Sequence, residues 1–161
     1  MKRYLGSLEA LDDKVKYPPS WSHTPCDPTM IKDWEQAVAN KLAPVDKAFQ
    51  KEYMSLYGAL NHTAKFRPEI CAMLGLCGSC LTFPTRAMYN WLLRCLVYLG
   101  RTSKLGITYS NRAEGAYILK CFADSNWGET RSTTGFVIML AGATILHASR
   151  RQHCITMSSC E

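Results

Sequence analysis

A single carboxylate between two β-prone runs most constrains how this chain folds. Residues 117–123 are apolar and β-prone, and Asp124 follows them directly. A polar stretch at 125–129 separates this run from a second β-prone run that begins at Thr133. Strand, acid, turn and strand in this order predict two paired strands, with the carboxylate at the end of the first. A carboxylate that a sheet immobilises is well placed to hold a hard metal ion.

The rest of the pattern predicts an α+β fold, with helices first and strands last. Helical periodicity dominates up to residue 99, where Asp46 and Thr85 are expected to cap two helices and Gly100 to stop the last of them. Residues 17–29 contain four prolines and are expected to be irregular. The predicted helices cover 3–12, 30–42, about 47–64, about 68–81 and 86–99, with a final helix from about 155. The predicted strands cover roughly 117–124, 133–140 and 143–148, the last two joined by a tight hairpin.

Composition and charge limit the classes of protein to which this chain can belong. Hydrophobic residues make up 47% of the 161 residues, which is enough for a core and argues against global disorder. The formal net charge of +6 permits a polyanionic partner without identifying one. No apolar run approaches the roughly 20 residues that span a bilayer, and no signal peptide is evident. We therefore expect no membrane association and an intracellular location, cytoplasmic or nuclear.

Eight cysteines is a high count for this length, and most of them lie within apolar periodic segments. Cys77 and Cys80 form a Cys-X-X-Cys pair, which is typical of a redox site or of half a zinc site. A second pair at zinc spacing is missing, and no predicted strand precedes the pair. Reduced cysteines that pack as small apolar groups are therefore the preferred interpretation.

Several motifs in the second half of the chain occur together at matching spacing in one family. Residues 124–127 read Asp-Ser-Asn-Trp, and residues 131–136 read Arg-Ser-Thr-Thr-Gly-Phe. Residues 145–152 read Ile-Leu-His-Ala-Ser-Arg-Arg-Gln, and residues 158–161 read Ser-Ser-Cys-Glu. These segments resemble the start of the RNase H domain in the Pol polyprotein of copia-type LTR retrotransposons. The family motifs there are Asp-Ala-Asp-Trp, Arg/Lys-Ser-Thr-Ser/Thr-Gly-Tyr/Phe, Ile-Ser-Trp-X-Ser-Lys-Lys-Gln and Ser-Ser/Thr-Thr-Glu.

The helical part resembles the segment that connects polymerase and RNase H in the same family. Residues 53–60, Tyr-Met-Ser-Leu-Tyr-Gly-Ala-Leu, are similar to Tyr-Arg-Ser-Leu-Val-Gly-Ser-Leu. Residues 66–70, Phe-Arg-Pro-Glu-Ile, are similar to Thr-Arg-Pro-Asp-Ile. The resemblance implies three segments: a thumb-like linker at 1–50, a helical connection region at 51–112 and a truncated RNase H-like domain at 113–161. That domain would hold three antiparallel strands and the start of a helix.

The resemblance also implies a chemistry, the two-metal hydrolysis of the RNA strand of an RNA–DNA hybrid with Mg²⁺ or Mn²⁺. RNase H uses four acids. Asp124 fits the first and Glu161 the second, so both are candidate catalytic residues and metal ligands. Asn126 stands where the family often has a second Asp, and its amide brings no charge to a metal. The third and fourth acids have no position before the chain stops, so we expect little or no nuclease activity from this chain alone.

Each candidate also has a plainer interpretation. Asp124 alone would be an ordinary turn acid, and Glu161 a solvated terminus. Arg150 and Arg151 are expected either to contact a nucleic-acid backbone or to lie at a solvated hairpin end, and the pattern does not separate the two.

Two functions remain as hypotheses. The first is a fragment of a Pol polyprotein with an incomplete RNase H-like domain, whose partners would be an RNA–DNA hybrid and the rest of that polyprotein. The alternative is a non-catalytic remnant that serves as a helical interaction module or a nucleic-acid-binding module.

Overall fold

The computed structural model describes residues 17–110, 118–126 and 132–152. Within them, α-helices precede a three-stranded antiparallel sheet, which confirms the predicted α+β class. The predicted helices at 3–12 and from 155 lie outside the described residues. The helices are α1 Thr29–Ala39, α2 Lys47–Thr63, α3 Cys71–Ser79 and α4 Arg86–Arg101, with 3₁₀ turns at Pro19–Ser22 and Pro68–Ile70. The strands are β1 Lys120–Asn126, β2 Thr133–Leu140 and β3 Ala143–Arg151.

Local capping chemistry sets where α2 and α4 begin. The Asp46 carboxylate accepts a hydrogen bond from the Ala48 backbone N–H at 2.9 Å, and the Thr85 hydroxyl accepts one from the Met88 N–H at 3.2 Å. Each bond satisfies a donor that the first turn of a helix leaves without a partner. Both predicted caps are therefore confirmed.

The predicted stop at Gly100 is wrong, because α4 continues to Arg101 and ends on Thr102. The Thr102 hydroxyl donates to the carbonyl oxygen of Tyr98 at 2.6 Å, and its backbone N–H donates to the same oxygen at 2.9 Å. The buried Arg67 guanidinium also binds Thr102, donating to its carbonyl and to its hydroxyl. A tertiary contact thus fixes this helix end, and no left-handed glycine is needed.

The hydrophobic core lies among the four helices. Helix α4 is its centre and buries Trp91, Leu92, Cys95 and Leu99 along one face, as the predicted apolar stripe requires. Tyr53 of α2 is fully buried, and its hydroxyl donates to the Cys77 carbonyl at 2.8 Å. This bond ties α2 to α3 while satisfying a buried phenol.

Arg94, on the same helix, is buried but fully bonded. It donates to the Thr24 carbonyl at 3.1 Å and to the Thr24 hydroxyl at 2.9 Å, and it pairs with Asp27. Hydrogen bonds from the Thr29 side chain and, second, from Arg94 hold the pKa of the Asp27 carboxyl below its usual value. The guanidinium therefore anchors the proline-rich segment to α4.

The sheet has the order β1-β2-β3, and its hairpin forms where the sequence predicts it. Ala141 and Gly142 both have positive φ angles, 52° and 77°, as a tight primed turn requires. Two predicted strand ends are wrong. Strand β1 continues to Asn126 because Ser125 and Asn126 still pair with Thr134 and Thr133, and β3 continues to Arg151 because that residue also pairs with Thr133.

Strand β3 joins the sheet to the helices. The His147 imidazole Nε2 lies 2.9 Å from the Ala64 carbonyl oxygen, so this nitrogen carries the proton and donates. The Tyr109 hydroxyl donates to the Thr144 carbonyl at 2.9 Å. Helix α3 packs against β3, where a Cβ on Gly75 would lie 3.8 Å from the Ser149 carbonyl oxygen. No helix in the described ranges is long and apolar enough to cross a membrane.

Candidate functional site

Asp124 lies within β1, two residues before the strand ends, and is exposed. It pairs with Gly135 on β2, which in turn pairs with Ser149 on β3. Since glycine has no side chain, the space beside the carboxylate on β2 stays open. The Asp124 Oδ1 accepts a hydrogen bond from the Ser125 backbone N–H at 2.9 Å, which orients the carboxylate along the strand.

A cleft of about 360 Å³ adjoins Asp124 between the sheet and the start of α3. Side chains alternate between the faces of a strand, so Asp124 shares a face with Phe122 and, across the sheet, with His147 and Ser149. His147 bonds to Ala64 of the helical part, so this is the face turned toward the helices. Asp124 is the acid among the described residues that line this cleft.

The structure describes one residue of the predicted metal site, Asp124. Glu161 lies outside the described residues, as does Trp127, so the structure describes one of the two candidate acids. No group of three or more His, Cys, Asp or Glu side chains in the described part of the chain has the geometry of a metal site. The roles predicted for Asp124 and Glu161 therefore stay predictions.

The two candidate nucleic-acid contacts have different surroundings, although both are exposed. The Arg151 guanidinium lies 5.9 Å from the centre of the Trp34 ring on α1. It therefore packs in part against the helical region. Arg150 instead lines a second cleft, of about 470 Å³, between β3 and helices α2 and α3.

Sequence reasoning missed Lys65, which lines the same cleft as Arg150 and follows the end of α2. Asn61 and His147 add polar groups, and no carboxylate is among the described residues that line this cleft. Lys65 and Arg150 are 85 positions apart, so no local motif signals that they share one cleft. We call this the Lys65–Arg150 cleft. Its charge suits a phosphate backbone.

The Cys-X-X-Cys pair is part of the core. Cys77 and Cys80 are both fully buried as free thiols. Burial raises the pKa of the Cys77 thiol to about 12, and burial also raises the pKa of Cys80. Because the thiolate is the reactive and metal-binding form, the preferred interpretation of these cysteines as apolar packing groups is confirmed.

The chain is similar to several known proteins at 27–29% identity over 114 residues, or 68% of its length. The secreted RxLR effector protein 161 of Plasmopara viticola is 27% identical, and the alignment covers 79% of it. The Pol polyprotein of transposon RE2 and an uncharacterized mitochondrial protein, both of Arabidopsis thaliana, are each 29% identical. The chain spans 8% of that polyprotein and 47% of the mitochondrial protein.

No protein-family model matches the chain, and no solved structure matches it. Two of these relatives carry the name Pol polyprotein. The predicted resemblance to the Pol polyproteins of copia-type retrotransposons is therefore confirmed.

Proposed function

We propose that this chain is a segment of a retrotransposon Pol polyprotein in which β1–β3 form the beginning of an RNase H-like sheet. The observation that carries the proposal is the position of Asp124, exposed on β1 opposite a glycine and beside an open cleft. Asp124 would be the first of the acids that hold Mg²⁺ or Mn²⁺, and an RNA–DNA hybrid would be the substrate. The relatives named as Pol polyproteins support the same origin.

Metal binding at Asp124 can be tested without any turnover. Mn²⁺ is paramagnetic, so when it binds it broadens the NMR signals of nearby backbone amides. We expect titration with Mn²⁺ to broaden the amides of Asp124, Ser125 and Gly135 first. The Asp124→Asn variant should lose this effect. The Glu35→Gln variant, which changes an exposed acid on α1, should keep it. Equal broadening in wild type and Asp124→Asn would reject the proposed metal ligand.

Cleavage of a labelled RNA–DNA hybrid then tests the activity. Two metal ions need several carboxylates, and Asp124 is the one acid among the described residues that line the cleft, so we expect no cleavage by the 161-residue chain with Mg²⁺ or Mn²⁺. Cleavage that both a chelator and Asp124→Asn abolish would show instead that other groups complete the site. That result would support the RNase H-like chemistry and contradict the expected inactivity.

The alternative, a non-catalytic nucleic-acid-binding module, is favoured by the Lys65–Arg150 cleft. Lys65 and Arg150 are exposed and are among the residues that line a cleft without a described acid, and exposed cations bind phosphates with a strong dependence on salt. We expect reversal of both charges, Lys65→Glu with Arg150→Glu, to weaken binding of a hybrid on the order of tenfold at low salt.

A matched control changes the same net charge elsewhere. Lys41 and Lys51 are exposed and lie away from the cleft lining. The double variant Lys41→Glu with Lys51→Glu should lose much less affinity in the same fluorescence-anisotropy titration. Equal losses in the two double variants would show that only net charge matters and would reject the cleft as the binding surface.

A further inference from the structure

Thr24 lies in the proline-rich segment that leads into α1. Of the 7 prolines in the chain, Pro25 is the one that directly follows a residue with a hydroxyl side chain. Thr24 is exposed, lies outside helices and strands, and belongs to the continuous described range 17–110. A residue before proline favours an extended backbone, which is the conformation in which protein kinases bind the segments that they modify.

We propose that Thr24 is a phosphorylation site for a proline-directed protein kinase, and that its phosphate binds the Arg94 guanidinium and holds the proline-rich segment more firmly on α4. The kinase would transfer the γ-phosphoryl group of ATP to the Thr24 hydroxyl. A bond forms between the phosphorus and the Thr24 Oγ1, and the bond from the phosphorus to the bridging oxygen of ADP breaks. The hydroxyl proton passes to a base of the kinase, and ADP leaves.

Arg94 places a cation directly beside the atom that would accept the phosphate. Its Nη2 donates to the Thr24 Oγ1 at 2.9 Å, and its Nε donates to the Thr24 carbonyl at 3.1 Å. Arg94 itself is only 6% exposed, so its guanidinium has little access to water. A phosphate on Oγ1 carries its terminal oxygens just beyond that atom, within reach of Nη2. A neutral hydrogen bond would thus become a charge-assisted one, which is roughly twice as strong.

Asp27 is an acid that shares this guanidinium. Its Oδ2 accepts a hydrogen bond from the Arg94 Nη1, and its Oδ1 accepts from the backbone N–H and the hydroxyl of Thr29. Phosphate and carboxylate would therefore bind different nitrogens, with the cation between them. Since the Coulomb energy falls with distance, the attraction of the phosphate to the guanidinium exceeds its repulsion from the more distant carboxylate.

The segment that the phosphate would hold is part of the packing of the helical region. Cys26 packs against the core cluster, and the turn Pro19–Ser22 contacts α4. Phosphorylation at Thr24 would therefore stabilise the fold and would not release the segment from it.

Modification of the folded chain tests the site. The 161-residue chain is incubated with ATP, Mg²⁺ and a purified cyclin-dependent or mitogen-activated kinase, both of which are proline-directed. We expect fragmentation mass spectrometry to find phosphate on Thr24, and both Thr24→Val and Pro25→Ala to lose it. A synthetic peptide of residues 17–32 is the reference. A folded chain that stays unmodified while the peptide is modified would show that the fold closes the site, and an unmodified peptide would reject the motif.

Phosphorus NMR and thermal unfolding then test the pairing with Arg94. A guanidinium favours the dianion, so the second pKa of the phosphate in the folded chain should lie below its ordinary value of about 6. The modified peptide keeps His23 and Asp27 but lacks Arg94, so its phosphate should titrate at about 6. Phosphorylation should raise the Tm of the chain by about 2–4 °C.

An Asp27→Asn variant tests the pairing without disturbing the buried arginine. The amide oxygen still accepts the hydrogen bonds from Thr29, but the competing charge is gone. Phosphorylation should therefore raise the Tm of this variant more than that of wild type. A phosphate that titrates in the folded chain as it does in the peptide would overturn the pairing with Arg94. So would a Tm that does not rise on phosphorylation in either protein.

Discussion

Burial decides the chemistry of the cysteines more than their spacing does. Cys77 is fully buried against the other core side chains, and burial raises the pKa of its thiol to about 12, from an ordinary value of 9.0. Cys95 is equally buried, and burial raises the pKa of its thiol in the same direction. A thiol that folding keeps protonated links the stability of the fold to pH.

We expect the free energy of unfolding to fall as the pH rises above about 9. The unfolded Cys77 thiol loses its proton near 9, whereas the folded thiol keeps it until about 12. The unfolded state therefore binds fewer protons in this range, and alkaline pH favours it. Below pH 9 this contribution to stability is fully present. Urea denaturation at about pH 8 and about pH 10.5 measures the decline.

Two cysteine variants separate this effect from general alkaline damage. Cys77→Ala lowers stability at every pH because it leaves a cavity, but its decline with pH should be shallower than that of wild type. Cys121→Ala, at an exposed position, should keep the full decline. Parallel declines in all three proteins would contradict the assignment to Cys77.

At the level of single elements, the hairpin between β2 and β3 carries the clearest local strain. Ala141 has a φ of 52°, a left-handed conformation that costs an alanine about 1 kcal/mol. Asparagine tolerates this conformation, and Asn-Gly is the preferred sequence for such a turn. We expect Ala141→Asn to raise the free energy of unfolding by about 0.5–1 kcal/mol, measured by urea denaturation.

Glycine variants provide the controls for that prediction. Gly142→Ala should lower stability by about 1 kcal/mol, because Gly142 has a φ of 77°. Gly106→Ala should change little, since its Cβ would meet nothing within 4 Å and its φ is not positive. An Ala141→Asn variant that is less stable than wild type would show that the turn is not strained at this position.

The starts of α2 and α4 were predictable from the sequence, whereas the ends of α4, β1 and β3 were not. The caps at Asp46 and Thr85 depend on residues two and three positions away, so local chemistry reveals them. The end of α4 depends on Thr102 and on Arg67, which is 35 positions distant. The ends of β1 and β3 depend on pairing with β2. Contacts between residues so far apart in the chain leave no pattern in the local sequence.

At the scale of the whole molecule, the candidate site also combines residues that local motifs identify with a cleft that only distant contacts form. Family motifs identified Asp124 and Arg150. The Lys65–Arg150 cleft became visible only when the fold joined α2 to β3. The His147–Ala64 bond connects two segments 83 positions apart, and no local sequence pattern predicts it either. The resemblance thus predicted the chemistry of single residues, whereas the arrangement of the sheet on the helices required coordinates.

The distribution of buried side chains predicts that the molecule does not open as one unit. The core cluster lies between Met30 and Leu99, entirely within the helical part, whereas β1 is exposed along most of its length. Regions with few buried apolar contacts open at lower free energy. We expect hydrogen–deuterium exchange to be slowest in α4 and much faster in β1, with β2 and β3 between them, when measured on dilute protein.

His147 provides the matched test of how the two parts are coupled. Removing its bond to Ala64 in His147→Ala should speed exchange in β3 and leave the protection of α4 unchanged, because the bond joins β3 to the residue that follows α2 and not to α4. Lys104→Ala, at an exposed position after α4, should change neither. Equal acceleration of β3 and α4 in His147→Ala would mean that the sheet and the helices unfold in a single step. The sheet and the helical core would then unfold cooperatively, although the sheet contributes almost no residues to that core.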